Sequence, residues 1–421
     1  MRRTALGIGI IALLALAAGA WLLTDLNRFR PQVEALIAEQ TGLDIEILGD
    51  LGWQLLPVPA VTVERVQSVG GEWQVDEWRY SPIRDHHAVR GFQFQAQGAE
   101  GRCDLEFRPR HSTSTAPQAT APGLVPVQAL HQVNGSGRCG EVHLRFGDQR
   151  FENLTVEFEV MDGTARFDLQ APSVYGGIAS ARIEADAGAE PIDWNLRFNA
   201  DRLRAQDLQP WLTEAVVWEA EFAYEGEFQM QGNSVPELAA CMVGESRLDG
   251  GPGRMGAPFL DQVKKAASPF ARGAGKAAPG PVRYQSLAGT WSIKGAAQRL
   301  VIALDNLVLK AKGEYQFADD RLDMTAKVAI EEGAEDAAFE ANPLLTGIGI
   351  PLRCAGTLAE PACALDDDAV RQLLAEAAKD GSEMQRKVDA IIEEKVPPKQ
   401  RQAARAVLRL LGGSIREDEQ P

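Results

Sequence analysis

"VVWEAEFAYEGEFQMQ", Val216 to Gln231, decides the fold class. Val216, Trp218, Ala220, Phe222, Tyr224, Phe228 and Met230 share one parity, while Glu219, Glu221, Glu225, Glu227, Gln229 and Gln231 take the other. Successive side chains of a strand point to opposite faces, so this stretch predicts a strand with one apolar face and one wet face. That two-sidedness belongs to antiparallel sheets, because the strands of covered parallel sheets read as unbroken apolar runs.

The same period of two recurs on both sides. Leu154, Val156, Phe158 and Val160 alternate with polar residues, as do Ala165, Phe167 and Leu169, and Trp194, Leu196 and Phe198. Downstream, Leu309, Ala311, Tyr315 and Phe317 lead into a turn at Ala318 to Arg321, and Leu322, Met324, Ala326, Val328 and Ile330 return, which predicts a hairpin. Phe92 to Ala96 and Cys103 to Phe107 read as earlier strands, and Pro236 to Val243 as one or two helical turns. From Asp366 the period becomes 3.6: acids at 366–368 can cap a helix carrying Val370, Leu373, Leu374 and Ala377, and two further helices follow to Gly412.

At the other end, Ala5 to Leu23 contains no charge, and a helix of that length rises about 28 Å, enough to span a bilayer. Arg2 and Arg3 precede it, which places the N-terminus in the cytoplasm and the rest across the membrane. A cleaved signal peptide is the alternative, because Ala18-Gly19-Ala20 offers small residues. The uncleaved anchor is preferred because the apolar run continues through Trp21, Leu22 and Leu23. Next, Pro31, Val33, Leu36 and Ile37 predict a one-faced helix closed by Gly42, then short strands around a Gly49-Asp50 turn and an extended Ala60 to Val66.

"DLNRFRPQVEALIAEQTGLDIEILGDLGWQLLPVPAVTVERV", Asp25 to Val66, resembles the start of the AsmA family of inner-membrane-anchored periplasmic proteins. The shared features are the preceding apolar helix, the R-P-Q-V-E helix ending in T-G, the G-D turn, and P-x-P before V-T-V. "GIGIPLRCAGTLAEPACALDD", Gly347 to Asp367, is similar to the family's closing element. The resemblance implies an elongated β-protein of bridge-like lipid-transfer type, working in outer-membrane assembly or phospholipid transport and homeostasis. The partners it implies are the inner membrane, phospholipid acyl chains and envelope proteins.

Composition agrees with an exported, folded protein. A chain of 421 residues that is 45% hydrophobic is not read as disordered. A formal charge of −16 argues against nucleic acid, which would need a local basic patch that the strands do not show. In an oxidising compartment Cys354 and Cys363 are close enough to close a disulfide across a short loop, and Cys103 and Cys139 can pair if their strands are neighbours. Cys241, between Ala240 and Met242, is expected to be a buried thiol.

No chemical motif outweighs its bland reading. Gly251-Pro252-Gly253-Arg254-Met255-Gly256 satisfies G-x-G-x-x-G, but it follows no parallel strand and Pro252 removes a donor, so it reads as linker. His86 and His87 point to opposite sides of any strand, and His111, His131 and His143 have no metal-ligand spacing, so solvated histidines are expected. No nucleophile elbow or zinc-protease motif occurs, and neither enzyme activity nor a cofactor or metal is expected.

The expected fold is therefore mainly β with an N-terminal transmembrane helix. It has an elongated, curled antiparallel sheet, forming an apolar groove or a sandwich-like core, followed by C-terminal helices. The segments are an anchor at 1–24, a helix and strands at 25–110, a Ser/Thr/Pro/Ala-rich linker at 111–127, a β-region at 128–248, a mobile Gly/Pro-rich loop at 249–284, a second β-region at 285–365, and helices and tail at 366–421. Trp218, Phe222, Tyr224 and Phe228 are the candidate lipid-contacting residues, presenting the largest apolar area on their face. A periplasmic scaffold binding envelope proteins without lipid transfer is the main rival, and a hydrolase without a readable motif is the other.

Overall fold

The structure, a computed structural model, describes residues 26–41, 44–54, 57–96, 98–110, 127–146, 149–211, 216–256, 260, 280–317, 319–331, 349–357, 361–366 and a few residues between 368 and 402. The expected span Ala5–Leu23 and most of the linker lie outside the described residues. No helix among the described residues is long and apolar enough to cross a membrane. The chain divides into two compact units, Met1–Val174 with Ile178–Leu196, and Tyr175–Gly177 with Arg197–Pro421.

The first unit opens with a 3-10 turn, Leu26–Phe29, and helix α1, Arg30–Thr41. Strands β1 (Ile45–Ile47) and β2 (Leu51–Gln54) both pair antiparallel with β3, Ala60–Ser68. Short strands leave backbone donors for side chains to satisfy, and the preceding turn and helix supply the acceptors. Glu34 accepts from the Ile47 amide at 2.8 Å, Asn27 accepts from the Leu51 amide at 2.9 Å, and Arg30 donates to the Gly49 carbonyl. Leu26 and Val33 pack on Ile45, Ile47, Leu51, Val63 and Val66.

From β3 the pairing is sequential and antiparallel. The strands are β4 (Trp73–Ser81), β5 (His86–Ala96), β6 (Ala99–Pro109), β7 (Val133–Phe146), β8 (Gln149–Met161) and β9 (Thr164–Val174), and β9 pairs with β10, Gly177–Asp186. A short helix α2, Val127–Gln132, precedes β7, and its Leu130 packs against Ala165, Ala185, Ala187 and Ile192. The register lines up one apolar row across seven strands, Val63, Trp78, Val89, Leu105, Gly137, Phe158 and Phe167. The opposite face carries the row Asp104, Arg138, Glu157 and Asp168, laced by Arg138–Glu157 at 3.4 Å and Arg182–Asp168 at 2.6 Å. The described clusters draw their members from neighbouring strands and a helix at either end, so among the described residues this unit is an open sheet rather than a sandwich.

β11, Asp193–Arg204, runs from the first unit into the second. The second unit continues with β12 (Val217–Gln231), helix α3 (Val235–Cys241), β13 (Val243–Gly256), β14 (Val282–Tyr284), β15 (Leu287–Lys294), β16 (Ala297–Leu304), β17 (Leu307–Gln316), β18 (Arg321–Ile330), β19 (Ile350–Gly356) and β20 (Pro361–Leu365). The ladder is antiparallel from β12 through β13, β15, β16, β17, β18 and β19 to β20, with β14 on the far half of β13. Ser234 caps α3 from its side chain, and Pro236 sits in its first turn.

Several expectations change here. The loop expected from residue 249 is strand as far as Gly256, and its G-x-G-x-x-G run pairs with β12 and β14; the rest of that segment is outside the described residues except Leu260 and residues 280–284, which include all of β14. Cys241 is exposed, because the helix that carries it ends there and turns its last residue outward. The helices expected after Asp366 fall mainly outside the described residues, although the Asp366 carboxylate accepts from the Ala369 amide at 3.0 Å, as a cap does.

Candidate functional site: the apolar face of the second sheet

In β12 the parity of Trp218 to Met230 is buried or half-buried, while the other parity is mostly exposed. Phe222 and Phe228 are 5% and 6% exposed, Trp218, Tyr224 and Met230 are half-buried, and Glu219, Glu221, Glu225 and Glu227 are exposed. Trp218 stacks on Phe222 with centroids 4.8 Å apart, and its Nε1 donates to the Tyr284 hydroxyl at 2.8 Å. Tyr284 is 2% exposed, and burial pushes its phenol above the ordinary range against the opposing effect of the Trp218 hydrogen bond, so it stays neutral. Phe198 reaches across from β11, stacking on Phe228 at 6.0 Å and tilted to Tyr224 at 5.1 Å, and it fits because a Cβ on Gly226 would lie 2.8 Å from its ring.

The four expected lipid-contacting residues therefore share one face, but they do not share one role. Phe222 and Phe228 are sealed by Trp218 and Phe198 and present almost no area, contrary to their expected place as the largest contributors. Rings that stack on one another spend their surface on protein. The register continues this face along two rows, in which Ser246, Ala311, Ala326, Val328 and Leu352 are themselves buried. One runs Tyr224, Leu248, Gly289, Ile302, Leu309, Val328 and Ile350, and the other runs Gly226, Ser246, Trp291, Leu300, Ala311, Ala326 and Leu352. Tyr224, Leu248, Trp291, Leu300, Ile302 and Leu309 are half-buried.

These residues are framed by a buried border, with Leu287, Leu304 and Leu307 at 2–4% exposure on one side and Ile293 at 3% on the other. Gly289 contributes no side chain between Leu248 and Ile302 in the first row. The polar atoms of the two rows are tied inward, with the Tyr224 hydroxyl 3.0 Å from Ser246 Oγ and Trp291 Nε1 donating to Gln298 at 2.7 Å. The result is an apolar face with no charged side chain in either row. Leu309 was visible as part of a parity, but Trp291, Leu300 and Ile302 could have been found only by pairing strands, since each alone reads as ordinary core.

The histidines and cysteines are also placed. His87 is not solvated: it stacks between Tyr80 and Phe107 at 4.5 and 4.7 Å, and the Trp78 Nε1 donates to its Nδ1 at 3.2 Å. Cys103 and Cys139 are directly paired on β6 and β7 and form a disulfide, as do Cys354 and Cys363 on β19 and β20. Among the described residues, no group of three His, Cys, Asp or Glu side chains is arranged to hold a metal ion.

In comparisons with known proteins, the AsmA family model matches residues 1–70, a stretch that ends just beyond β3. No curated protein and no solved structure matches the chain.

Proposed function

We propose, from a chain whose first 70 residues match the AsmA family, that the protein is an inner-membrane-anchored periplasmic component that assists outer-membrane assembly or phospholipid homeostasis by letting acyl chains lie on its apolar β-surface. It is not an enzyme in this reading. The observation that carries the proposal is the half-buried patch of Tyr224, Leu248, Trp291, Leu300, Ile302 and Leu309 inside a buried border. Contiguous apolar area of this kind marks an interaction surface, and one without charge or free donors suits hydrocarbon better than a polar partner. The exposed acidic parity of β12 keeps the other side in water.

Mass spectrometry of lipid extracted from the full-length protein, purified in a mild detergent and washed extensively, tests the reading. Retained phospholipid that is lost in a Leu300→Asp/Ile302→Asp variant of normal abundance is the expected result. A stoichiometric protein partner with no phospholipid would instead support a scaffold.

A further inference from the structure

The reverse face of the second sheet carries a feature that no single strand displays. The register sets Arg299 on β16 directly opposite Lys312 on β17, and Lys310 on β17 directly opposite Lys327 on β18. In the same cross-strand row as Arg299 and Lys312 follow Thr325 and Arg353. Like charges directly opposite on a sheet are destabilising, yet two such pairs sit side by side in a chain of net charge −16. All five cations are exposed.

Among the described residues Arg353 is held to Asp323 at 3.2 Å, whereas no ion pair joins Arg299, Lys310, Lys312 or Lys327 to a carboxylate. The acids on this patch are Asp323 and Glu314, and with Lys294 in their own row the cations are six against two. A shallow cavity of about 670 Å³ lies over it, lined by Ser292, Arg299, Lys312, Thr325 and Arg353 among others. The basic patch absent from the strands read singly is thus built by their pairing.

We infer that this face binds a phosphate-bearing anion, with Arg299, Lys312 and Arg353 around the cavity and Lys310 and Lys327 flanking it. Guanidinium forks match phosphate oxygens bidentately and lysines add point charge, so the cation set fits a compact group carrying more than one negative oxygen. The rows that carry these cations hold no aromatic side chain from β15 to β19, which leaves a nucleobase nothing to stack on. The bound anion would also relieve the two like-charge pairs. The site lies on the face opposite Leu300 and Leu309 and does not depend on what the apolar patch holds.

Two sources share this chemistry, a soluble phosphate compound and an anionic phospholipid headgroup. Calorimetric titration of the full-length protein in a neutral detergent separates them, using pyrophosphate in one arm and monomeric dihexanoyl phosphatidylglycerol in the other, with dihexanoyl phosphatidylcholine as the uncharged control. Pyrophosphate binding supports a soluble source, and phosphatidylglycerol binding without pyrophosphate binding supports a headgroup. In either case Arg299→Gln/Lys312→Gln should weaken binding by about tenfold or more, Lys312→Arg should retain it, and higher salt should reduce it. Binding of neither anion, equal binding of phosphatidylcholine and phosphatidylglycerol with pyrophosphate inert, or anion binding unchanged in the double Gln variant would overturn the inference.

Discussion

His87 shows how far a single side chain's environment departs from its sequence context. Its ring lies between Tyr80 and Phe107, and its Nδ1 accepts from Trp78, so it is held neutral. Burial lowers its pKa below 6.5 against the opposing pull of Asp85, with His86 adding to the lowering. The unfolded chain then takes up a proton first as the pH falls through about 6.5, and stability declines until the pH is below the folded pKa. We expect the thermal midpoint to drop between pH 7.5 and pH 5, and to drop less in His87→Phe; equal slopes would remove His87 from the account. Phe222 makes a second residue-scale test. At 5% exposure, Phe222→Ala should cost about 3–5 kcal/mol in denaturant unfolding, while Glu221→Lys, its exposed neighbour, should stay within about 0.5 kcal/mol.

At the scale of elements, the two disulfides sit across neighbouring strands, β6 with β7 and β19 with β20. Their sequence separations of 36 and 9 correspond to about 4 and about 3 kcal/mol of loop-closure stabilisation. Alkylation of the denatured, unreduced protein should therefore label one cysteine, Cys241; labelling at Cys354 or Cys363 would show that the β19–β20 pair is not closed. Strand identity was legible in the sequence wherever parity held, as along β12 and the β17–β18 hairpin. It was lost where a left-handed residue reset the phase. Arg65, at a φ of 49°, breaks the alternation of β3 without shifting its register with β4, and Val63 and Val66 on either side of it are both buried although their numbers differ in parity. The Gly251–Gly256 run read as linker because it follows no parallel strand and Pro252 removes a donor, yet it is strand, and Gly253 is needed there: a Cβ would lie 2.5 Å from the Tyr284 hydroxyl. Gly253→Val should destabilise the protein by about 1–3 kcal/mol in the same denaturant assay.

At the scale of the whole molecule, each unit is an antiparallel sheet whose two faces differ in kind, and in the second unit both faces carry candidate surfaces. The apolar side was legible in part. Trp218, Phe222, Tyr224 and Phe228 do share a face, but sequence could not tell which rings seal one another and which stay accessible, because that depends on Phe198 and Tyr284 arriving from other strands. The basic side was not legible, because Arg299, Lys310, Lys312 and Lys327 are scattered over three strands and meet through register. If acyl chains lie on the apolar face as proposed, Leu300 faces lipid while Arg299, its neighbour in sequence, does not. Site-specific photo-crosslinking in intact cells at positions 300 and 299 tests it most directly. Phospholipid-mass adducts are expected from position 300, and none containing an acyl-chain attachment from position 299. Adducts from position 300 that join only to other residues of the same chain would show a closed, protein-packed face and would contradict it.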